Sequence, residues 1–310
     1  MVLAVGGVAN FAGVEGAQQY TIPFRRVVDA DALRFRMIET LDRISPTAAP
    51  QDGRSAATFV VVGAGASGVE VSTKMADLLN DAFQRRGLHG RPRVIVVEMS
   101  DRIVPGLGED IRNIVTEGLR SSGVEVHTNT RVQRVTPQSI VFEHEGATEE
   151  VETAAVVWTG GVRVSSLIEK LGLEKDKRGL MIIGPTLQVR GRSEVFALGD
   201  SAFLDNVPPT LVGTSQLAFQ QSSLAVQNVR AFLAGQPLQT KEFAELGEAL
   251  SLGTERAAVM VGDVTIGGPL ARKARFAMYT SRLPTWHHRL KVGASWFFEG
   301  NKPLPLGLRR

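Results

Sequence analysis

The chain has 310 residues and a mass of 33.4 kDa, a length that favours two domains. Hydrophobic residues make up 43% of it and charged residues 22%, which places it among folded globular proteins and excludes general disorder. Cysteine is absent, which excludes disulfides, thiolate metal sites and cysteine nucleophiles. No apolar run reaches the ~20 residues of a spanning helix, so we expect no membrane span.

The net charge of +3 is unevenly distributed along the chain. Residues 271–310 hold nine Lys or Arg and a single acid, Glu299. A basic terminal segment is typical of a nucleic-acid arm, of a segment that binds an anionic membrane, or of a solvated end. The pattern of the uncharged residues in this segment is needed to distinguish these three possibilities.

In chain order, strands alternate with helices. The predicted strands are 2–5, 59–62, 94–97, 124–127, 139–142, 155–158, 181–183 and 195–198. The predicted helices are 29–43 with Asp29 as N-cap, 67–86, 111–121 and 214–233. Residues 45–55 carry two prolines and a glycine and are a predicted linker. Apolar strands separated by helices are typical of a parallel sheet covered on both faces, so we predict an α/β fold.

Gly63, Gly65 and Gly68 form a G-x-G-x-x-G pattern between a predicted strand and a predicted helix. The first glycine permits the tight turn, the second lets backbone approach a pyrophosphate, and the third lets the helix pack on the strand. The helix N-terminus adds partial positive charge. In this context the pattern indicates a dinucleotide site rather than a simple turn.

Glu98 ends the next predicted strand, where an acid receives the adenosine ribose hydroxyls. It lies 30 residues after Gly68, so the intervening helix and loop must be long. Arg102 could instead receive a 2′-phosphate, which leaves both NADH and NADPH open. The alternative for Glu98 is an exposed acid at a strand end.

Further motifs follow the fingerprint: Val69-Glu70, Val156–Gly161, Val195–Asp200 and Thr214–Gln221. In this order they resemble type II NAD(P)H:quinone oxidoreductases, the alternative NAD(P)H dehydrogenases, which are non-pumping flavoproteins on membrane surfaces. The segment Tyr279–Gly293 is most similar to their cyanobacterial and chloroplast branch. The absence of cysteine argues against the disulfide-reductase relatives, which need a dithiol.

The resemblance implies two nested Rossmann-like domains of the FAD/NAD(P)-linked reductase type, the first incomplete, and a C-terminal helical membrane-associating segment. It divides the chain into a remnant of the FAD-binding domain (1–50), the NAD(P)H-binding domain (51–160), the returning part of the FAD-binding domain (161–265) and the basic amphipathic segment (266–310). The family carries an earlier glycine fingerprint that this sequence lacks. We therefore expect the chain to begin inside the FAD segment; the alternative is a real loss of half the flavin site.

The resemblance also implies a reaction and the residues for it. Hydride passes from NAD(P)H to FAD, and electrons then pass to a plastoquinone- or naphthoquinone-like membrane quinone. Glu70 and Gln216 are the implied catalytic residues. Cofactor contacts beyond the fingerprint and Glu98 are implied for Gly6, Trp158, Gly161, Gly199 and Asp200. Quinone contacts are implied for Gln216, Phe219 and Gln220.

Each role has a plain structural alternative. Glu70 could simply favour the helix start, Trp158 could be a core side chain, and Asp200 could be a turn residue. Gln216 and Gln220, four apart, could form a polar helix face. His287 and His288 are adjacent without supporting acids, so no metal site is expected. The alternative function is a non-catalytic NAD(P)-binding remnant that has lost flavin binding.

The basic segment carries apolar residues at helix-like intervals, and Pro284 should divide it into two helices. These residues are Phe276, Tyr279, Leu283, Trp286, Leu290 and Phe297. Aromatic anchors among Arg and Lys are typical of an interfacial membrane helix, the alternative being a packed helical hairpin.

The expected partners are therefore a membrane quinone and an anionic membrane surface bound through 271–310. Nucleic acid is not expected, because no nucleic-acid motif accompanies the charge. A homodimer stays open. The expected location is peripheral, on a chloroplast thylakoid or plastoglobule, or on a bacterial inner or thylakoid membrane.

Overall fold

The computed structural model describes residues 1–45, 57–298 and 305–306, so the predicted linker lies almost wholly outside the described residues. The helices are α1 (Ala17–Tyr20), α2 (Val27–Arg43), α3 (Ala66–Arg86), α4 (Glu109–Ser121), α5 (Ser166–Lys170), α6 (Ser215–Leu233), α7 (Gly268–Ser281) and α8 (Trp286–Phe298). The strands are β1 (Val2–Leu3), β2 (Gly7–Ala9), β3 (Thr21–Pro23), β4 (Thr58–Val62), β5 (Arg93–Val97), β6 (Val124–His127), β7 (Arg131–Val135), β8 (Ser139–His144), β9 (Ala147–Glu152), β10 (Ala155–Trp158), β11 (Val162–Val164), β12 (Met181–Ile183), β13 (Gln188–Val189), β14 (Arg192–Ala197), β15 (Ala202–Leu204), β16 (Glu248–Leu252), β17 (Arg256–Val261) and β18 (Val264–Gly267).

The chain forms two compact units. The first unit comprises Met1–Asn10 and Val162–Leu246, and the second comprises Phe11–Gly161 and Gly247–Arg310. The predicted boundary at 160–161 falls where the chain leaves the second unit. The boundaries predicted at 50 and 265 stay predictions; β3 and the 247–298 segment pack with the parallel sheet of the second unit. The assignment of segments to flavin binding stays a prediction.

The second unit is built on a parallel sheet of strand order β3-β10-β4-β5-β6. Every residue of the central strand β4 is buried. Since successive side chains point to opposite faces, Phe59 and Val61 join a core with α3 and α4, while Val60 and Val62 join a core with β7 and β8. The predicted doubly covered parallel sheet is confirmed, with the antiparallel meander β7-β8-β9 covering the second face.

The antiparallel strands β16-β17-β18 and helix α7 complete this unit. Leu252 of β16 lies so close to α4 that a Cβ on Gly118 would stand 2.8 Å from its Cδ1. Ala271 of α7 is fully buried against Ala257 and Val259 of β17. These contacts fix the 247–281 segment to the helices of the sheet.

The first unit has a five-stranded sheet of order β1-β14-β13-β12-β15 and a separate antiparallel pair, β2 and β11. β1 runs parallel to β14 and β12 to β15, whereas β13 is antiparallel to both its neighbours. Leu217 and Leu224 of α6 pack with Phe196 of β14 in the core of this unit. Helix α6 therefore lies on the sheet with its N-terminus following Thr214.

The predicted N-cap at Asp29 is wrong. Helix α2 begins at Val27 after Arg26, and Asp29 Oδ2 accepts hydrogen bonds from the backbone N–H groups of Arg25 (3.1 Å) and Arg26 (2.8 Å). An acid at the third helical position thus caps the free N–H groups before it. Burial alone would raise the pKa of Asp29, but the hydrogen bonds from Arg26 and Arg25 outweigh it and lower the pKa.

Most other predicted elements are confirmed within a few residues, and α7 and α8 flank Pro284 as predicted. Among the elements that the sequence did not predict are β7, β9 and the strands β16–β18. These strands are short or carry many small and charged residues, so their hydrophobic pattern is weak.

Candidate functional site

The three fingerprint glycines hold three different geometries at the end of β4. Gly63 has φ +98°, which favours glycine, and a Cβ on Gly68 would stand 1.9 Å from the Gly63 carbonyl oxygen. A Cβ on Gly65 would meet nothing within 4 Å. Gly65 therefore borders open space directly before the first residue of α3, where a pyrophosphate can approach backbone N–H groups.

Glu98 is fixed to this turn. Its Oε2 accepts a hydrogen bond from Ala64 N–H at 2.7 Å, and its Oε1 accepts one from Ser100 N–H at 2.8 Å. Each carboxylate oxygen has a second lone pair for a ribose hydroxyl. The 30 residues between Gly68 and Glu98 are taken up mostly by the 21-residue helix α3, in agreement with the long helix predicted from this spacing.

Arg102 is already paired. Its Nε donates to Asp101 Oδ1 at 2.9 Å and its Nη2 to Asp101 Oδ2 at 2.7 Å. The hydrogen bonds from Arg102 lower the pKa of Asp101, and the same contact raises the pKa of Arg102. Sequence reasoning missed this pair, although the adjacent Asp-Arg dipeptide was visible.

Gly160 and Gly161, which follow β10, lie against the fingerprint turn. Thr159 Oγ1 donates to the carbonyl oxygens of Val62 (2.8 Å) and Gly63 (3.0 Å). A Cβ on Gly63 would stand 3.0 Å from Gly160 Cα, and Gly161 has φ +120° with open space at its Cβ position. The predicted cofactor residue Gly161 is thus beside the glycine turn.

Trp158 is 3% exposed and packs in the core, with its ring centroid 5.7 Å from that of Phe11. A buried ring packed on another aromatic ring is what a core tryptophan shows, the alternative given for Trp158 in the sequence analysis. Its cofactor role stays a prediction.

Glu70 lies on α3 two residues after Gly68, but its carboxylate is engaged elsewhere. Oε1 accepts hydrogen bonds from Ser251 N–H at 2.7 Å and from Arg275 Nη2 at 3.1 Å. The Arg275 guanidinium also lies 4.8 Å from the Tyr279 ring centroid. Neither partner was foreseen, because both are far away in sequence.

Two further side chains extend this contact along α3. Asp77 Oδ2 accepts from Thr254 N–H at 2.7 Å and from Thr254 Oγ1 at 2.9 Å. Lys74 lies between Glu70 and Asp77 on the helix. Burial lowers the pKa of Lys74, and the nearby Arg272 and Arg275 lower it further, whereas the carboxylate of Asp77 acts to raise it. The polar residues Glu70, Lys74 and Asp77, at helical spacing, were the available signal for a packed face.

In the first unit, Gly199 and Asp200 begin the turn after β14. Gly199 has φ +66°, and its N–H donates to Gln221 Oε1 of α6 at 2.8 Å. Gly6, with φ +62° and open space at its Cβ position, follows β1. Both turns stand at the carboxyl ends of neighbouring parallel strands, the edge at which α/β sheets bind ligands.

The three predicted quinone contacts on α6 divide into two kinds. Gln216 Oε1 accepts from Leu246 N–H at 2.8 Å, and the Gln220 amide exchanges hydrogen bonds with both backbone groups of Ala244. Phe219 is instead 51% exposed. The two glutamines therefore hold residues 244–246, and Phe219 presents an accessible ring.

The C-terminal helices are partly packed and partly exposed. Phe276 and Trp296 lie with ring centroids 4.5 Å apart, which pairs α7 with α8. Trp286 is 71% exposed and Leu290 63% exposed on one face of α8. The predicted Phe297 side chain lies outside the described part of the structure.

Among the described residues no group of His, Asp and Glu could hold a metal ion. In the same ranges, no helix is long and apolar enough to cross a bilayer.

A glycine cradle before a helix, with a strand-end acid bound to it on a parallel sheet, defines a dinucleotide-binding protein of the Rossmann class. Residues 1–227 match the pyridine nucleotide-disulphide oxidoreductase family. The chain belongs to this family.

The chain is similar to demethylphylloquinone reductase NdbB of Synechocystis sp., with 31% identity over 96% of this chain and 69% of that protein. It is also similar to the alternative NAD(P)H-ubiquinone oxidoreductase C1, chloroplastic/mitochondrial, of Arabidopsis thaliana, with 32% identity over 96% and 58%. The structure of NDH2 from Plasmodium falciparum in complex with NADH superposes with a TM-score of 0.80 at 15% identity, over 97% of this chain and 78% of that chain, and supports the fold. The predicted resemblance to type II NAD(P)H:quinone oxidoreductases is confirmed.

Proposed function

We propose that this chain forms the nucleotide-oxidising part of an FAD-dependent NAD(P)H:quinone oxidoreductase that does not pump protons. The observation that carries the proposal is the Gly63–Gly68 turn with Glu98 bound to Ala64. The chain spans 69% and 58% of the lengths of the two relatives described above. The activity of the whole protein is therefore a proposal supported by similarity and by this geometry.

The cradle fits NAD(P)H. The open position at Gly65 admits a pyrophosphate, the N-terminus of α3 favours its charge, and Glu98 receives ribose hydroxyls. We assign the nicotinamide side to the glycine pair Gly160-Gly161, which adjoins the same turn.

The residues of the first unit fit part of an FAD site. Gly6 and Gly199 bring backbone to the strand ends without side chains, and Asp200, in the same turn as Gly199, is the proposed partner of the ribityl hydroxyls. Thr214 caps α6, whose N-terminus favours negative charge on a ligand. When bound, FAD accepts a hydride from NAD(P)H and releases two electrons to a quinone.

For the quinone we retain Gln216, Phe219 and Gln220 as proposed contacts, and Glu70 and Gln216 as proposed catalytic residues. Phe219 offers an apolar surface to a quinone ring. Gln216 and Gln220 fix residues 244–246, and a contact between their amides and a quinone carbonyl oxygen rests on the resemblance alone. A naphthoquinone-like acceptor agrees with the name of the cyanobacterial relative, a demethylphylloquinone reductase, whereas the plant relative is named for ubiquinone.

We further propose that α7 and α8 rest on an anionic membrane, at the chloroplast or bacterial location predicted from the resemblance. Trp286 and Leu290 provide exposed apolar area on one face, and Arg289 and Lys291 stand beside them. Arg272 and Arg275 support the fold instead, since they pair with Glu255 and Glu70.

The test is an assay for bound FAD and for NADH oxidation with a short-chain naphthoquinone, made on the purified protein together with the earlier FAD-binding segment that the resemblance implies. Stoichiometric FAD and quinone-dependent oxidation support the proposal. A protein that binds NAD⁺ but no flavin, and oxidises no NADH, is the non-catalytic remnant and contradicts it.

A further inference from the structure

The loop that follows β5 is held against the glycine turn at both ends. Ala64 is the shared anchor: its N–H donates to Glu98 Oε2 at 2.7 Å, and its carbonyl oxygen accepts from Val104 N–H at 2.8 Å. Ile103 and Val104 are buried, whereas Asp101 and Arg102 are exposed. The loop therefore presents these two charges at the carboxyl end of β5, where the adenosine ribose binds in this class of sheet.

Arg102 is the sole cation in the sequence between 98 and 104, and it is engaged by its neighbour. Its Nε and Nη2 each donate to one Asp101 oxygen, which is the bidentate arrangement of an arginine on a carboxylate. A phosphate would use the same planar fork. Asp101 and a 2′-phosphate thus compete for one edge of the guanidinium.

We propose that Asp101 is a specificity-determining residue: by holding Arg102 it keeps this cation from a 2′-phosphate and favours NAD(H) over NADP(H). The inference rests on the proposed function, since it takes the fingerprint to bind a nicotinamide dinucleotide. Asp101 is a positioning residue that acts through Arg102. Glu98 adds an independent preference for a free 2′-hydroxyl, so it is left intact in every variant below.

Isothermal titration with NAD⁺ and NADP⁺ tests the proposal without turnover, because neither ligand carries a hydride to donate. Both side chains of the pair are more than half exposed, so substitution leaves the fold intact. Asp101→Asn should tighten NADP⁺ binding about three- to fivefold, the size of effect that an exposed ion pair can have, and leave NAD⁺ within about twofold.

Three further variants separate the arginine from the charge. Asp101→Asn combined with Arg102→Gln should lose the gain, Arg102→Gln alone should change little, and Asp101→Glu should keep the original preference. The control is Asp81→Asn, which removes the same charge from an exposed Asp–Arg pair 2.9 Å long with Arg85. That pair lies about 22 Å along α3 from its first residue, so it should change neither affinity.

Several results would overturn the inference. An equal gain in the double variant would assign the effect to the Asp101 charge alone. A loss of NADP⁺ binding in Arg102→Gln would show that the arginine is free in the unmodified protein. If Asp101→Asn changed the affinity for NADP⁺ no more than the affinity for NAD⁺, the inference would also be overturned. Failure of both dinucleotides to bind would remove the proposed function as well, whereas a specificity switch without quinone reduction would remove only the proposed function.

Discussion

Arg275 Nη2 lies 3.1 Å from Glu70 Oε1, and this ion pair joins two helices whose residues are 205 positions apart. The same oxygen accepts a hydrogen bond from Ser251 N–H at 2.7 Å. Glu70 therefore holds β16 and α7 against α3, although the family resemblance gives it a role in catalysis. The structural role of Glu70 predicts a loss of stability on substitution, and its catalytic role predicts a loss of kcat, so the two roles can be tested separately.

Glu70→Ala is expected to lower the free energy of unfolding by about 2 kcal/mol, because Ser251 N–H loses its acceptor and Arg275 its counter-charge. Glu70→Gln keeps an acceptor for Ser251, so we expect a loss of about 1 kcal/mol. Urea unfolding followed by circular dichroism measures both values.

A double-mutant cycle isolates the ion pair. Glu70→Gln and Arg275→Gln should show a coupling free energy of about 1 kcal/mol. If Glu70 also acts in catalysis, Glu70→Gln should reduce kcat, while Arg275→Gln, which keeps the carboxylate, should reduce it much less. Equal losses of kcat in both variants, in proportion to their loss of stability, would contradict the catalytic role.

The glycine turn shows what the sequence can predict. Its φ angles, the buried strand before it and the helix after it are all set by neighbouring residues, so a local pattern was sufficient. Ser251 and Arg275 contact Glu70 from 181 and 205 residues away, and no local pattern specifies such a pair. Gln216 and Gln220 were correctly placed on one helix face, but their backbone partners at 244–246 depend on tertiary packing.

Gly65 and Gly68 should respond differently to the same substitution. A Cβ at position 68 would stand 1.9 Å from the Gly63 carbonyl oxygen, so Gly68→Ala is expected to cost about 3 kcal/mol or more in stability. Position 65 has φ −68° and open space, so Gly65→Ala should keep the melting temperature. It should weaken NAD⁺ binding about tenfold, because the methyl group occupies the pyrophosphate position.

Differential scanning fluorimetry and calorimetric titration of the two glycine variants measure these effects. Unchanged NAD⁺ affinity in a folded Gly65→Ala protein would show that the pyrophosphate does not approach this turn.

Asp29 should make stability pH-dependent in acid. Because its pKa is lowered in the folded chain, it contributes stability above its ordinary value of 3.8, and this contribution is lost as the pH falls through the lower folded value. Asp29→Asn should cost about 1 kcal/mol at pH 7, the usual size of a capping contribution. Urea unfolding of both proteins should give a constant difference from pH 7 to about 5 that shrinks below about pH 4. A difference at pH 3 that is as large as the difference at pH 7 would contradict the charge-dependent cap.

The last prediction concerns the exposed face of α8. Removing residues 271–310 would also remove buried Ala271 and the Arg275–Glu70 pair, so point substitutions are the sharper test. Trp286→Ser with Leu290→Ser should weaken binding to phosphatidylglycerol vesicles at least about tenfold, because both side chains lose apolar area that the bilayer would bury. Phe35→Ser is the matched control, since Phe35 is 74% exposed on α2 and lies outside the proposed membrane face.

Charge should act on the same surface in a salt-dependent way. Arg289→Gln with Lys291→Gln should weaken vesicle binding at low salt and matter little at 0.5 M salt, because exposed charges contribute about 1 kcal/mol each and are screened. Activity with a long-tailed quinone should fall in step with vesicle binding, while activity with a short water-soluble quinone should persist, since these residues lie outside the nucleotide cradle. Cosedimentation that is equal in all variants and in the Phe35 control would show that α8 does not contact the membrane, and the peripheral location would then require another surface.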